Sequence, residues 1–201
     1  MLVLFEGPDG SGKSTLIAKI KQKFLPEALV CKRNSFKTYN PEESKYPTNI
    51  DLTLSAPWDW RFFLEMHEAN FKSHNFLCDR SFITQRVYQD ALGPETKTPE
   101  LDATLLAYEH EVSQIPHLVV YCKRKTLRND GDFVAMDNKE LDIVARYEKY
   151  IDSECTLNKI VIDTEKLDVD SCTALIVGAI QAAYNHYVEN KSGKAINIWA
   201  D

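Results

Sequence analysis

Near the amino terminus, Gly7-Pro8-Asp9-Gly10-Ser11-Gly12-Lys13-Ser14 satisfies the spacing G-x-x-x-x-G-K-S/T, with Thr15 next. Residues of these types in this order suit a polyphosphate. Glycines at 7, 10 and 12 let the backbone adopt positive φ and turn its N–H groups inward. A helix beginning near Lys13 adds the positive end of its dipole. Lys13, expected in a solvated site, can span the β- and γ-phosphates of a nucleotide, and the Ser14 hydroxyl can ligate Mg²⁺. The segment from Gly7 to Thr15 is therefore the expected cradle for ATP with Mg²⁺.

A phosphate cradle does not name a reaction, and a second site narrows it. Phe76-Leu77-Cys78-Asp79-Arg80 is a short apolar run closed by an acid and a base. At a strand end beside the cradle, Asp79 can hold Mg²⁺ or accept a proton, and Arg80 can grip a phosphate bidentately. A surface ion pair is the competing reading of the same two residues. Lys123, Arg124, Lys125 and Arg128 form a basic cluster after a further apolar run. Transfer between two anionic substrates needs such charge on the migrating group. Arg128 is the first choice for that work and Arg124 the second. A base-reading N-K-x-D is missing: Asn138-Lys139-Glu140-Leu141 and Asn158-Lys159-Ile160-Val161 both lack the final Asp, which weighs against a GTPase switch. Asp90-Ala91-Leu92-Gly93 matches D-x-x-G but reads as a helix ending at Gly93.

The segment from Leu4 to Thr15 resembles the F-E-G-x-D-G-x-G-K-S-T opening of thymidylate kinases. Asp79-Arg80 with Thr84, Val87, Tyr88 and Gln89 is similar to that family's D-R-x-x-x-S/T-x-x-A-Y-Q stretch, with Val for Ala. The resemblance implies transfer of the ATP γ-phosphoryl group to a deoxynucleoside monophosphate, dTMP first. It implies that Asp9 contacts the sugar 3′-hydroxyl, Arg80 the acceptor phosphate and Tyr88 the sugar, with Thr84 and Gln89 on the same acceptor wall. It also implies a lid near 123–132 that carries the arginine missing from the phosphate loop, and a homodimer. The family's base-binding F-x-x-x-R is replaced by Trp58 and Arg61, three apart and so on one helical face. Arg33, after the second apolar run, is a further substrate contact, and Arg146 a candidate for substrate phosphate or lid closure. Ser81 departs from the aromatic residue usual after Asp-Arg. Asp79-Arg80-Ser81 thereby also resembles the E-R-S of deoxynucleoside kinases, although no Glu-Pro pair follows the second strand. A nucleoside kinase, a broad-specificity monophosphate kinase and an ATP-binding regulatory protein remain as alternatives.

These residues must be positioned by something. Short apolar runs at Met1 to Phe5, Ala28 to Cys31, Phe76 to Cys78, Leu118 to Cys122 and Lys159 to Ile162 read as strands. Helical patterns at Lys13 to Phe24, Trp58 to Ser73, Phe82 to Leu92, Leu101 to Gln114, Asn138 to Ser153 and Val169 to Val188 lie between and after them. Strict alternation predicts a three-layer α/β domain, helices on both faces of a parallel sheet, with ligands at the carboxyl ends of the strands. The resemblance supplies the strand order 2-3-1-4-5. At 201 residues and 44% hydrophobic content, the chain suits one domain. The tail from Asn190 to Asp201 reads as a frayed end or a tacked-down arm.

A net charge of −6 offers no footprint for a long nucleic acid. The five cysteines form no CxxC pair and read as reduced thiols, and the five histidines show no metal-ligand spacing. Glu6 interrupts the first apolar run too early for a signal peptide, and no run approaches a membrane span. The expectation is a cytoplasmic protein with a small nucleotide substrate.

Overall fold

A computed structural model describes residues 1–32, 70, 73–92, 99–125 and 140–192. The first apolar run forms β1 (Leu2–Glu6), buried along its whole length. With β2 (Leu29–Lys32), β3 (Phe76–Asp79), β4 (His117–Lys123) and β5 (Lys159–Asp163) it makes a five-stranded sheet of order β2-β3-β1-β4-β5, the order expected. Every pairing is parallel. The register sets Phe5 beside Asp79 and Glu6 beside Tyr121, so the carboxyl ends of the three middle strands finish together.

Side-chain alternation along β1 divides the core in two. Leu2 and Leu4 pack with Phe82, Ile83 and Val87 of α2 (Phe82–Leu92), Leu105 and Val112 of α3 (Pro99–Ser113), and Ile143 and Tyr147 of α4 (Glu140–Lys149). Met1, Val3 and Phe5 pack with Leu16, Ile17 and Ile20 of α1 (Lys13–Lys23) and Cys172, Ile176 and Ile180 of α5 (Val169–Ser192). Each such buried aliphatic side chain contributes about 1.5–3 kcal/mol relative to exposure. The same parity carries Glu6 toward the α2–α4 layer.

Several element ends shift from expectation by a residue or two, and two differences are larger in kind or extent. α4 continues through a π-helical turn, Tyr150–Glu154, and α5 runs to Ser192 rather than Val188. The second follows from Glu189-Asn190-Lys191-Ser192, which hold no apolar residue to mark periodicity. The expected helix from Trp58 to Ser73 and the tail beyond Ser192 fall outside the described residues, apart from Asn70 and Ser73. No described helix is long and apolar enough to cross a membrane.

Candidate active site

The turn from β1 into α1 takes the geometry its glycines permit. Gly7, Gly10 and Gly12 have φ of 139°, 69° and 88°. Gly7 is constrained twice, since a Cβ there would lie 2.5 Å from the Cys122 carbonyl oxygen. The loop thus rests directly on the end of β4. Thr164, just past β5, adds a second tie by donating its hydroxyl to the Ser11 carbonyl at 3.0 Å.

Lys13 is only 5% exposed, which corrects the expectation of a solvated side chain. Its ammonium folds back under the loop and donates to the carbonyls of Gly7 (2.9 Å) and Pro8 (2.7 Å) and to Ser11 Oγ (3.3 Å). Burial, with the Arg80 guanidinium as the next cause, lowers its pKa from 10.5 to about 8. Ser14 and Thr15 are exposed in the first turn of α1. The Ser14 hydroxyl donates to Asp79 Oδ2 at 2.6 Å, joining the cradle to the end of β3. These are hard oxygen donors of the kind that suits Mg²⁺, an ion that takes only one or two protein ligands beside substrate phosphates. Among the described residues no cluster of three or more His, Cys, Asp or Glu could hold a metal by itself.

Beside the cradle stands a second charged group. Arg80 pairs with Asp9 and reaches the Gly7 carbonyl at 3.4 Å. Its guanidinium lies 5.6 Å from the Tyr88 ring centroid, and the Tyr88 hydroxyl donates to Asp9 Oδ2 at 3.3 Å. Burial works against the Arg80 charge, but Tyr88, Tyr147, Asp9 and Glu6 outweigh it, and the guanidinium is held more firmly charged than usual. Burial likewise raises the Tyr88 hydroxyl to about 12. Residues 9, 80 and 88 therefore meet at one place, next to Lys13.

The remaining expected residues are as follows in the structure. Thr84 is buried, its hydroxyl donating to Glu6 Oε2 at 2.6 Å and lying 2.9 Å from the Tyr147 hydroxyl. Gln89 sits on α2. Arg124 follows the end of β4, half-buried, and Lys123 pairs with Glu148 at 2.8 Å. Arg146 is engaged by carboxylates. It pairs with Asp90 of α2 and bidentately with Glu154, at 3.0 and 2.8 Å, which ties the π-helical turn to two helices. Arg33, Trp58, Arg61 and Arg128 lie outside the described residues.

Glu6 was read as the end of an apolar run and as part of the F-E-G opening, with no role of its own, yet it is hydrogen-bonded to residues that flank Arg80. Its carboxylate is 0% exposed and accepts from Ser81 (2.5 Å), Thr84 (2.6 Å) and Tyr147 (3.1 Å). The available signal was period-two parity, which sends an acid at position 6 into a buried face.

No family model matches the chain. It is 24% identical over 185 residues to a thymidylate kinase of Campylobacter hominis, which covers 85% of this chain and 92% of the relative. Among solved structures, thymidylate kinase from Candida albicans is similar with a TM-score of 0.63 at 17% identity, over 98% of this chain and 94% of that one. Deoxyadenosine kinase from M. mycoides with bound dATP is similar with a TM-score of 0.60 at 16% identity, over 89% and 98%. The YorR protein of Bacillus subtilis gives 0.58 at 19%, over 95% and 98%. Fold and phosphate loop together are those of a P-loop protein, and the proteins it is similar to belong to the nucleotide and nucleoside kinase class. Within that class, the curated relative carries the name of the family that the two sequence motifs resemble, the thymidylate kinases.

Proposed function

We propose that the protein transfers the γ-phosphoryl group of ATP to the 5′-phosphate of a deoxynucleoside monophosphate, with dTMP the first candidate, releasing ADP and the diphosphate. The observation that carries this reading is the meeting of Asp9, Arg80 and Tyr88 beside Lys13. A dianionic acceptor needs a fixed cation where it approaches the donor, and Arg80 is such a cation. Asp9 lies against both Arg80 and Tyr88, in keeping with the sugar contact that the family resemblance assigns to it.

In this mechanism an acceptor phosphate oxygen attacks the γ-phosphorus in line, and the bond to the ADP leaving oxygen breaks. Lys13 leaves the loop carbonyls for the β- and γ-phosphates. Mg²⁺, held by Ser14 and through Asp79, would neutralise charge on the phosphate oxygens. Arg80 offsets repulsion between the two anions, and the lid arginines, Arg128 and Arg124, would complete the cationic shell. No general base is required, because a phosphate monoester is already ionised at neutral pH, with a second pKa of about 6. Asp79, engaged by Ser14 at 2.6 Å, accordingly serves the metal side.

A nucleoside acceptor is the competing reading. It is favoured by Ser81 after Asp79-Arg80 and by the likeness to a deoxyadenosine kinase. A nucleoside 5′-hydroxyl would require a base, and Cys31-Lys32-Arg33-Asn34 offers no acid at the end of β2. Phosphorus NMR of reactions containing ATP, Mg²⁺ and dTMP tests the proposal. New diphosphate resonances from the acceptor support it, and ATP left unchanged beside dTMP contradicts it.

A further inference from the structure

We infer that Glu6 is a positioning residue that holds Arg80 toward the acceptor phosphate, acting through Ser81 and Thr84. The inference rests on the role given to Arg80 above. Arg80 has φ of 76°, in the left-handed region, where a residue with a Cβ pays about 1–2 kcal/mol. Such a conformation persists only where its surroundings over-determine it. On one side the Arg80 N–H donates to the Phe5 carbonyl at 3.0 Å. On the other, Ser81 donates to Glu6 Oε1 at 2.5 Å and accepts from the Ile83 N–H at 3.1 Å, capping the start of α2. One turn later Thr84 donates to the second carboxylate oxygen, and Tyr147 reaches the same atom from α4.

Phe5 and Glu6 thus clamp both flanks of Arg80, and the backbone reversal between them presents the guanidinium to Asp9 and the Gly7 carbonyl. The negative charge of Glu6 also acts on Arg80 directly. A fully buried carboxylate is an expensive filler, and an aliphatic side chain would serve packing alone. Ser81 is itself one of the donors to that carboxylate.

Glu6→Gln removes the charge but keeps the shape, and Thr84→Val deletes one donor while sparing the carboxylate. The expected result for Glu6→Gln is a loss of roughly tenfold or more in kcat/KM for the acceptor, with KM for ATP within about twofold of wild type. Thr84→Val should shift the same constants by less. Acceptor kcat/KM within about twofold of wild type in both variants overturns the inference, as does an equal rise in both KM values. A second readout needs no turnover: the Arg80 Nε–Hε resonance in ¹⁵N NMR, assigned by its loss in Arg80→Lys. It should be narrow in the wild type and in Thr84→Val, and broadened or moved toward the free-arginine position in Glu6→Gln. An unchanged resonance in Glu6→Gln overturns the inference. Absence of any acceptor-dependent turnover in the wild type would instead refute the proposed function and leave this comparison to decide the clamp.

Discussion

Lys13 makes nucleotide binding proton-linked, and pH is the perturbation that exposes it. The fall from 10.5 to about 8 corresponds to about 3 kcal/mol of cost to the charged form, at about 1.36 kcal/mol per pH unit. At about pH 9 some nine-tenths of Lys13 is neutral in the free protein, against about one-tenth at about pH 7. A bound triphosphate favours the ammonium and raises its pKa again. Binding must then take up close to one proton at about pH 9 and almost none at about pH 7, and affinity should fall roughly tenfold per pH unit above 8. Calorimetry of Mg-ATP binding in two buffers of different ionisation enthalpy measures the uptake, and Lys13→Met should abolish it. The sign also sets a stability trend. Between about pH 8 and 10.5 the unfolded chain binds more protons than the folded one, so the nucleotide-free fold gains stability as pH rises through that window. Uptake near zero at the higher pH in the wild type, or uptake unchanged in Lys13→Met, refutes the reasoning.

Arg80→Ala should lower kcat/KM for the acceptor by about 10²–10³-fold with little change in KM for ATP, checked by steady-state kinetics. Arg80→Gly should be as inactive yet about 1 kcal/mol more stable than Arg80→Ala in denaturant, because φ of 76° strains any residue with a Cβ. Arg146→Ala should lose about 1–3 kcal/mol of stability with unchanged KM for both substrates, since its partners are Asp90 and Glu154; a selective rise in either KM would return it to the lid. Among the five cysteines, Cys31 should alkylate first, followed by mass spectrometry. It is the one thiol not fully buried, and a hydrogen bond with Cys78 holds its pKa below the ordinary value.

The sheet was readable because its information is local. Apolar runs bounded by turns mark the five strands, and the glycines at 7, 10 and 12 predict the positive φ values observed. Strand order came from family resemblance rather than from the runs themselves, which say nothing about neighbours. Asp9, Arg80 and Tyr88 could be named together because two motifs carry them, although 71 positions separate the first two. What was hidden is what depends on packing between distant elements. The partners of Glu6 lie 75, 78 and 141 positions away, at the capping residue of α2, on α2 itself and on α4. Arg146 could be named only as a candidate for substrate phosphate or lid closure, because a basic residue on a helix reveals nothing of Asp90 or of a π-helical turn that brings Glu154 within reach. Lys13 looked solvated because its motif says nothing of the loop carbonyls of Gly7 and Pro8, which take its ammonium.

The acceptor decides the central claim, and the most direct measurement is ADP release from Mg-ATP against the four deoxynucleoside monophosphates and the four deoxynucleosides, each with wild type and Arg80→Ala. The account predicts release with monophosphates, dTMP foremost, that collapses in the variant. Release with nucleosides alone, or with none of the eight, would contradict it.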